Sequence, residues 1–332
     1  MFLLRGLAVS LSVFFLLYAA LSLAIAKGWN AVVFFGERRS QQHLADIFFL
    51  ARILPFAAAS LTTVLFVVPS FLLFEPRWSQ ERLRAIPLFL GWAGLMLLVF
   101  GLWNAVKALG RTTHVVRAWR AGAREVGREA SVPVFCTNPA LTAYHGTGEA
   151  SPPFAVAGIV RPAVFMSPTA AAALSAAELQ SVIRHEMAHV RRHDNLKRLL
   201  FRACAFPSMQ HIEHAWADAT EGAADDAAVS SADEALDLAA ALVKLSRLVA
   251  AGPARASSDG RPAEETLTMA LLHAGTTVPA RVERLVAWTQ PQCVAAARPR
   301  PYTSALVGAF LFALCYGPML VGAHALTELL MQ

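Results

Sequence analysis

Four long apolar runs limit what this chain can fold into more than any other feature. Residues 7–26, 44–74, 85–106 and 303–327 carry few or no charges. Each is long enough for a helix to cross a bilayer, which takes about 20 residues. Only 16% of the residues are charged, against about 25% in an ordinary soluble domain, and the deficit is concentrated in these runs. A large soluble core is the competing reading, but buried helices are rarely so long and so uncharged. The first run also has features of a secretory signal, with Arg5 ahead of it and Ala24-Ile25-Ala26 at its end. Its apolar stretch exceeds the usual roughly 7–15 residues of such signals, so it is expected to stay as an anchor.

Basic residues flank the runs unevenly. Lys107, Arg111, Arg117, Arg120, Arg124 and Arg128 follow the third, and Arg298 and Arg300 precede the fourth. Under the positive-inside rule both flanks are cytoplasmic. Residues 107–300 are then cytoplasmic, long enough for one compact domain, and both termini lie outside. Lys27, Arg38 and Arg39 fall inside in agreement, whereas Arg77, Arg82 and Arg84 fall outside with Glu75 and Glu81 beside them. The expected layout is a membrane part over 1–106, a cytoplasmic part over 107–300 and a fourth span in 301–332. The net charge of +6 belongs to these membrane flanks, so direct nucleic-acid binding is not expected. Cys136, Cys204, Cys293 and Cys315 show no paired spacing, and cytoplasmic thiols stay reduced, so no disulfide and no thiolate metal site is expected.

Along the cytoplasmic part, residues 107–129 read as a basic helix running off the third span. Residues 131–137 read as a short strand and 138–153 as a loop. Residues 154–166, interrupted by Gly158 and Pro162, read as a hairpin or a bent edge strand. Ser175 and Glu178 form a capping box that opens a helix reaching about Arg192. Residues 196–209 suit a helix that touches the membrane surface or the core. Further helices are expected over 211–230, 232–250 and 279–288, with a flexible loop at 251–264.

The helix after the capping box carries His185-Glu186-Met187-Ala188-His189. Positions i and i+4 share a helix face, so both imidazoles can point at one metal ion while Glu186 reaches water on it. This is the H-E-x-x-H pattern of zinc peptidases. A catalytic zinc site takes three protein ligands and keeps a fourth position open. His193, His211, His214 and Glu221 are the candidates for the third. Eight helical residues climb about 12 Å, whereas each ligand atom must sit about 2 Å from the ion, so His193 does not suit a regular helix. Glu221 is favoured, and His211 and His214 remain alternatives. Glu221 opens Glu221-Gly222-Ala223-Ala224-Asp225, which puts Asp225 on the same face, where it can accept the second N–H of a ligating histidine. Glu186 is then the general base. A solvated acidic surface is the plainer reading of Glu221 and Asp225, and it is the upstream motif that favours zinc.

Several short motifs occur in order: Pro153 through Pro168, Leu174-Ser175-Ala176-Ala177-Glu178-Leu179, the His185–His189 motif, Arg192-His193-Asp194-Asn195, and Glu221 to Asp225. Over about 130–230, and in the arrangement of spans, the chain resembles the membrane zinc metallopeptidases of the BlaR/MecR type. The resemblance implies a mainly α integral membrane protein with four transmembrane helices. A cytoplasmic α+β zincin-like (gluzincin) peptidase domain would lie between helices 3 and 4. It implies one Zn2+ on His185, His189 and Glu221, with Glu186 catalytic. It further implies that an extended substrate pairs with the strand around Gly158, Ile159, Val160 and Val164 by β-augmentation. Substrates in that family include a transcriptional repressor. Those transducers carry a penicillin-binding sensor after the fourth span, and none follows here, so a stand-alone peptidase in a bacterial-type inner membrane is expected. It would be constitutive or answer to a regulatory partner protein. A second resemblance is to the HtpX and CAAX-prenyl-protease group, through the zinc motif, the acidic third ligand and Pro279-Ala280-Arg281-Val282-Glu283-Arg284-Leu285. Three spans before the motif and one after favour the first group. A non-catalytic zinc scaffold and a transporter are the competing classes. The first leaves Glu186 without a purpose, and the second lacks ionisable residues deep in the spans.

Overall fold

The computed structural model describes residues 2–36, 40–75, 85–137, 153–251, 268–270, 278–288, 316–325 and 327–328. Three of its helical stretches are long and apolar enough to cross a membrane. They are α1 (Phe2–Lys27), the stretch Gln41–Phe74, and α5 (Ala85–Ala121). A short α2 (Trp29–Gly36) follows α1. The second stretch is α3 (Gln41–Thr62), a π-helical turn at Thr63–Val67, and α4 (Val68–Phe74). Proline has no N–H and its ring clashes with the carbonyl four residues back, so Pro69 accounts for that turn. The carbonyl it strands is that of Leu65, and the Tyr316 hydroxyl donates to it at 3.0 Å.

Small residues decide how these helices meet. A methyl group on Gly91 would lie 2.7 Å from the Ala8 carbonyl oxygen, and one on Gly94 would lie 2.6 Å from that of Leu11. Lipid tails are as apolar as leucine, so membrane helices associate through such close backbone approach. These contacts advance together along α1 and α5, which therefore run parallel. Gly6 faces Phe71, and Tyr18 meets Phe56 edge-on, so the second stretch runs the other way. The candidate fourth span at 303–327 lies largely outside the described residues. Its helical piece at 316–325 follows the second stretch in the same direction, with Tyr316 beside Phe66 and His324 beside Phe74.

The rest is an α+β unit joined directly to α5. A five-stranded sheet has the order β1-β2-β4-β3-β5. The strands are β1 (Ala123–Glu129), β2 (Val132–Thr137), β3 (Phe154–Ala157), β4 (Ala163–Met166) and β5 (Thr268–Ala270). β2 and β4 are parallel and the other pairs antiparallel. The helices are α6 (Pro168–Ala173), α7 (Ala176–Arg192), α8 (Asp194–Ala203), α9 (Gln210–Ala228), α10 (Ala232–Ala251) and α11 (Val278–Val286). One core joins the inner faces of β2, β3 and β4 to Val182 and Met187 of α7, Leu238, Leu242 and Leu245 of α10, and Leu285 of α11. Each fully buried leucine there contributes about 1.5–3 kcal/mol. The Ser175–Glu178 capping box is formed on both sides, with bonds of 2.7 and 3.2 Å.

One sequence expectation is corrected and another is narrowed. The basic helix expected over 107–129 ends at Ala121, and 123–129 is strand β1 paired with β2. The left-handed turn at Ala130 and Ser131 (φ 45° and 72°) closes a hairpin whose pairing with β2 outweighs the helical spacing of the arginines. The expected boundary at 106/107 thus falls inside α5. The segment after Leu196 takes the core reading, with Phe201 and Met209 buried in a cluster shared with α3 and α9. α8 packs against α5, with Gly101 facing the Ala203 carbonyl, and Tyr18 of α1 donates to the Cys204 carbonyl at 2.6 Å. The loops expected at 138–153 and 251–264 lie almost wholly outside the described residues.

Candidate metal centre

α7 crosses α9 where both are buried, and their facing turns hold the site. The hydrophobic stripe of α7 packs on the core, and the neighbouring stripe brings His185 and His189 inward, both almost fully buried. Their Nε2 atoms are 3.2 Å apart. Glu221 of α9 stands opposite, with Oε2 3.5 Å from His185 Nε2 and Oε1 3.7 Å from His189 Nε2. Ligand atoms at about 2.0–2.1 Å in a tetrahedral site lie roughly 3.3 Å apart, so the two nitrogens and the facing Glu221 carboxylate come close to the spacing of a zinc triad. They form one of two described groups that could hold a metal ion.

Each imidazole is supported from behind by a carboxylate. His189 Nδ1 bonds Asp194 Oδ2 at 2.9 Å, and His185 Nδ1 lies 3.0 Å from Asp225 Oδ1, bent away from ideal hydrogen-bond alignment. A proton on each Nδ1 satisfies these carboxylates. Both Nε2 atoms then face the same point, where a cation would displace the proton they share across 3.2 Å. Both oxygens of Glu186 are likewise buried without a hydrogen-bond donor. Buried acceptors of this kind are costly unless something positive meets them. The residues therefore fit zinc.

Asp194 was not singled out by its sequence, and the backbone explains why it matters. His193 caps α7 in the left-handed conformation (φ 55°), which histidine tolerates better than most residues. The chain folds back there, so Asp194, the first residue of α8, turns onto His189. The same turn carries the exposed His193 side chain away from the cluster. His211 packs against Trp29, and both it and His214 are exposed, outside the cluster. Arg281 and Arg284 were missed too. Arg281 donates through Nε and Nη2 to Asp225 at 2.9 and 2.6 Å, and its Nη1 is 3.0 Å from Glu221 Oε2. Arg284 bonds Asp226, Asp225 and the Gly222 carbonyl.

These charges set the protonation states. Burial pushes the Glu186 carboxyl up to about 7, although both imidazoles pull it down. Burial would raise Glu221 as well, but Arg281 and the imidazoles hold it at about 2. Asp225 is held far below the usual carboxylate range against burial, chiefly by Arg281 and His185. With no metal present, burial disfavours charge on His185, yet Asp225 and Glu221 outweigh that and raise it to about 9.

The expected substrate strand needs correction. Gly158, Ile159 and Val160 form the turn between β3 and β4. Gly158 has φ +98°, its carbonyl accepts from Asn195 Nδ2 at 3.1 Å, and Val160 is 91% exposed. Val164 is fully buried in β4, whose two edges are taken by β2 and β3, and the outer edge of β3 carries β5. β4 is apolar on both faces because it is a central strand, so Val164 offers no edge to a substrate.

The second apolar stretch lies close to this site. α9 packs along α3, and a methyl on Gly222, next to Glu221, would lie 3.0 Å from Gln41. Buried Arg52 of α3 pairs with Glu213 of α9 at 2.8 Å. Asp46 reaches Arg192 and Lys197 at 3.6 and 3.7 Å, and both of these flank Asp194.

Residues 142–289 match the model of peptidase family M48, a family of zinc-dependent metallopeptidases of membrane type. The matched stretch contains His185, Glu186, His189, Asp194, Glu221, Asp225, Arg281 and Arg284. Comparison with curated proteins and with solved structures finds no match.

Proposed function

We propose that this chain is a membrane-anchored zinc endopeptidase that hydrolyses peptide bonds of a cytosolic or membrane protein. The observation that carries it is the convergence of His185 Nε2, His189 Nε2 and Glu221 on one point, with Glu186 buried beside them. His185, His189 and Glu221 would hold the ion, and Asp194 and Asp225 would orient the two rings. Bound zinc supplies Lewis-acid chemistry, acidifying water and polarising a carbonyl. Glu186 accepts the proton of the attacking water on a carboxylate oxygen and delivers it to the leaving amine nitrogen. A carboxyl raised to about 7 by burial suits both halves of that transfer near neutral pH. The turn at Gly158, Ile159 and Val160 is the proposed substrate contact.

The arginine-rich flank after the third span supports a cytoplasmic site, with both termini outside and the protein in a bacterial-type inner membrane. The motif order supports a BlaR/MecR-type peptidase whose substrate is a repressor and whose activity answers to a partner protein. A second reading, an HtpX/CAAX-prenyl-protease-like processing or quality-control peptidase, draws on the segment from Pro279 to Leu285, whose arginines reach the site.

Metal content and cleavage of casein or of the chain itself test the enzyme. Glu186→Gln is expected to keep one zinc per chain and lose about 10²–10⁴-fold in cleavage rate. Cleavage at the wild-type rate would remove Glu186 from its role, and full cleavage by metal-free protein would remove the zinc mechanism.

A further inference from the structure

α11 is separated from α10 by a long stretch of chain, yet it returns to the back of the metal centre. It docks through Leu285, buried in the main core, and through Arg281, 5% exposed. The Arg281 fork grips both Asp225 oxygens, and its remaining nitrogen reaches Glu221 Oε2. One guanidinium therefore touches the proposed third ligand directly and reaches His185 through Asp225.

The need for it follows from charge. Glu221 and Asp225 sit one turn apart on α9, both fully buried, with Glu186 close by. Neighbouring buried carboxylates repel one another and escape by turning outward or taking up protons. A planar guanidinium binds a carboxylate through two parallel bonds and fixes its plane. A lysine is a single point charge and cannot fix that plane while also reaching a second carboxylate. The geometry points to Arg281 as a positioning residue of the metal centre, holding Glu221 and, through Asp225, His185 at the separations a metal ion needs.

This inference rests on the zinc reading, and its sign separates it from plain electrostatics. A cation beside a metal ligand repels the ion, so charge alone predicts tighter metal binding once Arg281 is removed. Positioning predicts weaker binding. A merely structural arginine predicts no more loss than any other loosening of α11.

The test is zinc affinity of the full-length protein in detergent, by competition with a chromophoric chelator, together with the melting temperature of the metal-free form. Arg281→Gln is expected to weaken zinc binding about 10–100-fold, the usual effect of losing an outer-shell partner. Arg281→Lys restores charge without the fork and is expected to recover only part of it. Leu285→Ala loosens the docking of α11 without touching a charge, and is expected to lower the melting temperature while changing affinity far less. Unchanged or tighter binding by Arg281→Gln overturns the inference, as does an equal affinity loss in Leu285→Ala at a matched melting temperature. Should Arg281→Gln fail to fold, wild-type affinity in Arg281→Lys overturns it equally. A wild-type chain that binds no zinc overturns the reading of the site itself. A wild-type chain that binds zinc beside an indifferent Arg281→Gln overturns only the role given to Arg281.

Discussion

Two clusters among the described residues have the composition of a metal site, and they differ in what lies behind them. His185, His189 and Glu221 are all buried, and Asp194, Asp225 and Arg281 support them from outside. Glu75, His324 and Glu328 also bring three ligand atoms together, at the far end of the second apolar stretch from Gln41 and the first cluster. There Glu75 is paired with Arg5 at 2.8 Å, the Glu328 side chain is 53% exposed, and His324 Nδ1 meets no carboxylate. A triad of ligand types is common. A triad held by a second layer of opposite charges, with its ligand nitrogens already facing one another, is the stronger candidate. The outer layer fixes each ring's orientation and tautomer before an ion arrives.

The contrast can be broken most directly at its ligands. Glu221→Ala should abolish stoichiometric zinc in the purified protein, whereas Glu75→Gln should leave it at one ion per chain; elemental analysis of both variants decides. The outer layer comes next. Asp194→Ala should weaken zinc binding about 10–100-fold, and chelator competition on a variant lacking Glu328 should show no change. A pH series sharpens the comparison further. In metal-free protein His185 is raised from 6.5 to about 9, so its stabilising contribution is complete below pH 6.5 and is lost as pH rises through 9. Glu186, raised from 4.5 to about 7, contributes in the same sense, losing stability between those values. Zinc displaces the imidazole proton and removes the His185 dependence. The gap in melting temperature between zinc-loaded and metal-free protein should therefore widen from pH 6.5 to 9. A constant gap would mean that His185 is not a ligand, and His324→Ala should leave the widening intact. The smallest effect belongs to Glu328→Ala, an exposed change expected to move stability by less than about 0.5 kcal/mol in thermal unfolding.

Much of this site was legible in one dimension because its strongest signals are local. The i, i+4 histidines, the capping box that starts their helix, and Glu221 with Asp225 one turn later each need only helix periodicity. What was missed depends on turns and returns. Asp194 matters because His193 is left-handed, and a histidine carries no sequence mark of that conformation. Arg281 matters because α11 comes back across the fold, and an arginine in a basic amphipathic helix reads as a solvated face until its partners are known. The error at 107–129 has the same origin, since helical spacing of arginines and a β-hairpin compete over a short stretch and pairing with β2 decides. Val164 failed as a substrate contact because an apolar strand reads alike at an edge and at the centre of a sheet.

By itself the sequence determined the three long apolar helices, the helix that carries His185 and His189, and the identity of the three candidate ligands, because hydrophobic length and helical period are properties of consecutive residues. Only the tertiary structure decided that the helix carrying Glu221 lies against the second apolar stretch, that β5 covers the open edge of β3, and that an arginine in α11 clamps two buried acids. Those facts come from contacts between segments distant in the chain, and their energies depend on which charges share a buried space rather than on which residues stand side by side.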